Sequence, residues 1–109
     1  MTPEEFQEYE SLSPVGKDYY NMGKREHPEW NHNQAMTYVS ICLISTPPTP
    51  GPTTTLREIF TAMLRKAEVY MQEKFPRIYN QVKEYFSKTI QWLKNAVNVT
   101  INKIIEFFN

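Results

Sequence analysis

The chain has 109 residues, 40% of them hydrophobic and 14% aromatic, with twelve Lys and Arg balancing twelve Asp and Glu. Such a chain is one modest domain, or a small domain with an appendage, apolar enough to build a core and so not a disordered polymer. The single cysteine, Cys42, excludes an intrachain disulfide and any multi-cysteine metal site.

The predicted architecture is all-α, in three segments: an acidic helical head over 1–44, a proline-rich extended linker over 45–54, and a long basic amphipathic helical arm over 55–109. The zero net charge hides a dipole between the two ends. The head carries three bases (Lys17, Lys24, Arg25) against seven acids (Glu4, Glu5, Glu8, Glu10, Asp18, Glu26, Glu29), net −4, and residues 55–109 carry nine bases against five acids, net +4. Asymmetry of this kind can steer one half onto the other, or onto a neighbouring copy.

In chain order, Thr2-Pro3-Glu4-Glu5 opens the first helix, with Thr2 as cap, Pro3 in the first helical position and Glu5 closing a capping box. Phe6, Tyr9 and Leu12 are its expected buried face. Ser13-Pro14 repeats the start signal, and a second helix should turn Val15, Tyr19 and Met22 inward. Gly16 and Gly23 weaken it by about 1 kcal/mol each relative to alanine. His27-Pro28 ends it, because a residue before proline avoids the α region. A third helix starts near Asn31 or Asn33 and runs to Ile44, with Met36, Val39 and Cys42 or Leu43 inside. Residues 38–42 also alternate in a β-compatible way, but no second strand is evident as a partner.

Residues 45–54 place four prolines within six positions, which fixes φ and removes donors, so an extended spacer of roughly 30 Å is expected. Thr55-Leu56-Arg57-Glu58 is another capping box and opens the arm. A stripe then runs through Leu56, Phe60, Met63, Ala67, Met71, Phe75, Ile78, Val82, Phe86, Ile90, Leu93, Val97, Ile101, Ile104 and Phe108. Its period is close to ~3.6 residues, and paired apolar positions make it broader than a two-stranded coiled-coil seam. Pro76 is the one interruption. Because Phe75 and Ile78 stay in phase across it, a helix kinked or broken near Pro76 is expected, with a kink favoured over a hairpin.

A continuous helix over the arm would extend ~80 Å at 1.5 Å per residue, too far for a 44-residue head to cover. The stripe is therefore read as an unfilled interface. Its partner-binding residues are expected to be Phe60, Met63, Leu64, Tyr70, Met71, Phe75, Ile78, Tyr79, Val82, Phe86, Trp92, Leu93, Ile101, Ile104, Phe107 and Phe108.

Chemistry is sparse. His27-Pro28-Glu29-Trp30-Asn31-His32 contains a His-x-Glu pair but lacks the paired cysteines of a zinc deaminase and the spacing of a helical zinc motif. It reads as a polar turn plugged by Trp30, and Cys42 as a small core residue. The three glycines are too scattered for a phosphate loop. No catalytic, cofactor-binding or metal-binding residue is assigned. The stretch Tyr19-Tyr20, Lys24-Arg25, His27-Pro28, Trp30-Asn31, Asn33-Gln34 resembles the first two helices of HMG-box proteins. The family's basic character is absent from this acidic half, and no DNA-contact residue carries over.

The expected function is that of a non-catalytic structural or assembly protein, whose arm docks on partner subunits of a larger complex such as a viral particle. Protein partners or self-association are expected. One alternative is nucleic-acid binding through Arg65, Lys66, Lys74, Arg77, Lys83 and Lys88. The other is membrane-surface binding through the Ser87–Asn109 stretch, where Lys88, Lys94 and Lys103 alternate with Trp92, Phe107 and other apolar residues. Lacking a basic-then-apolar leader and any apolar run near the ~20 residues of a bilayer span, the protein is expected to be intracellular, soluble or held within an assembly.

Overall fold

The first helix begins where its capping chemistry predicts. Thr2 Oγ1 accepts from the Glu5 amide at 3.2 Å while the Thr2 amide donates to Glu5 Oε1 at 2.9 Å. The computed structural model describes residues 1–44 and 56–108, and among these every regular element is a helix: α1 (Pro3–Glu10), α2 (Pro14–Glu26), α3 (His32–Ile44), α4 (Leu56–Lys74), α5 (Pro76–Leu93) and α6 (Ile101–Ile105). The proline-rich linker at 45–54 and the Thr55 cap lie outside the described residues.

Ser13 caps α2 through the Gly16 amide at 3.1 Å. The buried face of α2 is Gly16, Tyr20 and Gly23, one position round from the expected Val15, Tyr19 and Met22; Val15 and Met22 face solvent. The glycines explain the rotation. A Cβ on Gly23 would sit 3.1 Å from both the Trp30 and Tyr38 rings, and one on Gly16 would sit 3.2 Å from Leu12 Cβ. Their absent side chains let α2 approach its neighbours closely, so the expected weak points of the helix are its contact points.

Asn31 and Gln34 cap α3 reciprocally, each amide donating to the other's side-chain oxygen at 2.9 Å. This helix is buried nearly all round, between α2, α4 and α6. Full enclosure removes the need for a polar face, which is why its sequence shows a blurred period and a β-like alternation. Thr37 and Ser40 hydroxyls are satisfied inside by the carbonyls of Asn33 and Met36, each at 2.8 Å.

Pro76 breaks the arm as expected, but the favoured kink is instead a reversal. Phe75, with φ −133° and ψ 61°, is the single residue between α4 and α5, and Pro76 occupies the first position of α5, where its missing N–H costs nothing. The two helices pack side by side as a hairpin: Arg57 at the start of α4 donates to the carbonyls of Lys94 (3.0 Å) and Ala96 (3.3 Å) beyond the end of α5. The molecule therefore measures 45 × 27 × 25 Å rather than the ~80 Å of a straight arm. A second break was not expected. After Leu93 the helix stops, Asn98 takes φ 60°, and Thr100 caps the short α6 through the Lys103 amide at 3.2 Å. One core then joins head and arm, with Ala35, Met36, Val39 and Ile41 of α3 in the same cluster as Leu64, Met71, Ile78, Phe86, Ile104 and Phe108.

Candidate functional site

Ten of the residues assigned to a partner are buried in that core: Met63, Leu64, Met71, Phe75, Ile78, Val82, Phe86, Leu93, Ile104 and Phe108. The other six, Phe60, Tyr70, Tyr79, Trp92, Ile101 and Phe107, are half-buried against it. Folding the arm back on itself supplies α5, α6 and α3 as the covering that a straight arm would have lacked. The stripe is an interior, and a binding surface has to be sought elsewhere.

Two places combine concavity with polar chemistry. The first is a network tying α1, α2, α3 and α5. Glu8 accepts from Arg77 in a two-pronged pair, Oε2 from Nε at 3.0 Å and Oε1 from Nη2 at 2.6 Å. Oε1 also accepts from His32 Nε2 at 3.1 Å, and the Tyr20 hydroxyl meets His32 Nδ1 at 2.9 Å. These partners select the neutral imidazole with its proton on Nε2, so that Tyr20 donates to Nδ1. Burial pushes the His32 imidazole below its ordinary value, with the Glu8 hydrogen bond opposing, and pushes the Tyr20 hydroxyl up to about 12. A tyrosine–histidine–carboxylate chain has the parts of a proton relay. Here Arg77 neutralises the carboxylate and His32, 4% exposed at its side chain, has both nitrogens engaged. The arrangement works as a clasp between the two halves of the chain. A hollow of about 320 Å³ lies beside it, between α1 and the Phe75–Pro76 turn.

The turn at His27–His32 also closes on itself. His27 stacks on Trp30 with centroids 4.2 Å apart and meets Glu29 Oε1 at 3.2 Å, Trp30 is buried, and Lys24 Nζ holds the Trp30 carbonyl. Burial pushes the Cys42 thiol up, away from the thiolate a nucleophile needs. Among the described residues, no three His, Cys, Asp or Glu side chains are grouped to hold a metal ion.

The second place is an open cleft of about 930 Å³ at the far end of the hairpin. One wall is the first turns of α4 (Arg57, Glu58, Thr61, Ala62, Arg65); the other is the α5–α6 connection from Leu93 to Val99. Leu93, Ala96 and Val99 form an apolar floor, buried or nearly so, while Val97 is 73% exposed at the edge. Arg57, Arg65 and Lys94 make the rim cationic against the single acid Glu58. Asn98, left-handed at φ 60°, sits in this wall between α5 and α6. Asn95, Asn98 and Thr100 were the available signals: asparagine tolerates the left-handed region, and threonine caps helices. The continuing apolar phase masked them.

Four of the six bases named for nucleic acid have other surroundings, while Lys66 and Lys83 are exposed. Arg77 is held by Glu8, Lys88 Nζ lies 5.3 Å from the Tyr85 ring centroid, Lys74 lines the hollow by α1, and Arg65 lines the cleft. The apolar residues of the membrane reading are turned inward: Phe107 packs on Trp92 with centroids 5.0 Å apart, and Ile104, Ile105 and Phe108 are buried. Among the described residues no helix is long and apolar enough to cross a membrane. Comparison with protein-family models, curated proteins and solved structures finds no match to this chain.

Proposed function

We propose that the protein is a non-catalytic interaction module of a larger protein assembly. Its contact surface is the cleft between α4 and the α5–α6 connection, not the apolar stripe of the arm. The observation that carries this reading is the cleft itself: an apolar floor of Leu93, Ala96 and Val99, an exposed Val97 and a rim of three cations around one acid. That combination suits an acidic protein segment with an apolar or aromatic anchor, because floor burial gives affinity and the rim selects charge. The densest polar cluster, around Glu8, pairs its groups with one another, and among the described residues no buried side-chain nitrogen or oxygen is left without a partner.

Selection of displayed peptides against the purified protein tests the reading. Acidic sequences with one or two aromatic or aliphatic anchors should be enriched, and their binding should be lost in Val97→Glu and in Arg65→Glu. Enrichment that survives both substitutions, or none at all beside tight salt-sensitive binding of RNA, DNA or anionic vesicles, would overturn it.

A further inference from the structure

We propose that the cleft receives helix α1 of a second copy of this chain, so that copies associate head to tail. This rests on the interaction reading above and names its occupant. The outer face of α1 is what the cleft would recognise. Phe6, expected inside, is 54% exposed, and Pro3 and Glu10, one turn before and after it on the same face, are exposed too. The inner face holds Glu8, Tyr9 and, just beyond the helix, Leu12. An exposed aromatic one turn from a carboxylate, on a helix already formed, is an anchor that loses little freedom on docking. Seated in the cleft, Phe6 covers the floor beside Val97 and Ala62, while Glu10, which pairs with Lys17 at 3.4 Å in its own molecule, exchanges that exposed partner for Arg65 or Lys94. The −4 head and +4 remainder become complementary between copies.

The occupant cannot come from the same molecule. Glu8 fastens α1 to Arg77 at the turn end of the hairpin, whereas the cleft lies at the open end beside Arg57 and Lys94. The eighteen residues of α5 separate the two, about 27 Å at 1.5 Å per residue. Two different patches at opposite ends let each copy join one neighbour through its cleft and another through α1, which builds rings or open chains.

Sedimentation velocity on the full chain and two surface variants is decisive. Phe6→Ser removes the anchor and keeps the cleft; Val97→Glu spoils the cleft and keeps the anchor. Both positions are exposed, so neither substitution should disturb folding. Wild type should grow in mass with concentration, less so as salt is raised, and each variant alone should associate about tenfold or more weakly. Mixed in equal amounts, the variants should form a one-to-one dimer and nothing larger, since the pair retains one intact contact. A wild type that stays monomeric at all concentrations, variants that assemble undiminished, or a mixture that stays monomeric would overturn the proposal. If displayed acidic peptides still require Val97 and Arg65 in that case, the interaction reading stands and only the second copy is excluded as occupant.

Discussion

The most consequential single residue is Glu8, because one carboxylate joins a histidine from α3 and an arginine from α5 that lies 69 residues away in sequence. With His32 neutral, its bond to Glu8 is an ordinary hydrogen bond, and the ion pair belongs to Arg77 alone. The clasp has a definite pH sign. Burial holds the folded His32 below its unfolded value of about 6.5, so as pH falls the unfolded chain takes up the proton first. This contribution to stability is full above about pH 6.5 and is lost as pH drops toward the folded value. Denaturant midpoints should therefore fall between pH 7 and pH 5 in wild type. His32→Gln should lower the midpoint at pH 7, by about 1–2 kcal/mol in stability, and flatten the slope below it. A slope unchanged by the substitution would show that His32 titrates alike in the folded and unfolded chain. None of this was legible in the sequence, where Glu8 is one of seven acids in the head and Arg77 one of nine bases in the arm. Pairing across such a separation depends on where the hairpin turns.

At the scale of the element, local signals located the first three helices closely: Thr2, Ser13 and Asn31 each make the caps their chemistry predicts. Faces were harder. The α2 face was displaced because close approach at Gly16 and Gly23 is a gain in packing that a propensity scale counts only as a cost. The α5–α6 break was missed because Val97, in phase with the stripe, sits at the lip of the cleft, 73% exposed, while its neighbours Ala96 and Val99 turn inward. Asn98 fixes that geometry with φ 60°, and substitutions there should have opposite effects. Asn98→Gly, free of the Cβ clash, should leave stability unchanged or slightly higher. Asn98→Val should cost about 1–2 kcal/mol, since a β-branched residue resists the left-handed region. Thermal unfolding of both variants reads the difference; equal stabilities would show that the turn does not depend on this backbone conformation. Because Asn98 shapes one wall of the cleft, Asn98→Val should also weaken the selected peptides, tying local conformation to the proposed contact.

For the whole molecule, the lesson is how one ambiguous residue governs overall shape. The stripe from Phe60 to Phe108 was correctly read as demanding burial, but the identity of what covers it hinged on Pro76. A kink leaves an arm far too long for the head to cover and calls for an outside partner. A reversal lets α4 and α5 cover each other, with α3 and α6 closing the sides. Sequence phase cannot separate these, because a hairpin whose two helices both face one core keeps its apolar positions in register across a one-residue break. Tertiary burial decides: Phe75 in the turn and Ile78 just after it are both interior, and each adds roughly 1.5–3 kcal/mol that an exposed kink would forfeit. Small-angle X-ray scattering separates the two shapes directly, using Val97→Glu to suppress the proposed association. The folded-back chain has a Cα radius of gyration of 13.7 Å and a longest dimension of 45 Å, so the scattering radius should lie slightly above that value once hydration is included. A straight arm of the same residues would alone give roughly 23 Å, the value for a rod of ~80 Å. A radius near the larger number would reopen the stripe as a surface and remove the cleft, since its two walls meet only when Arg57 reaches the carbonyls of Lys94 and Ala96.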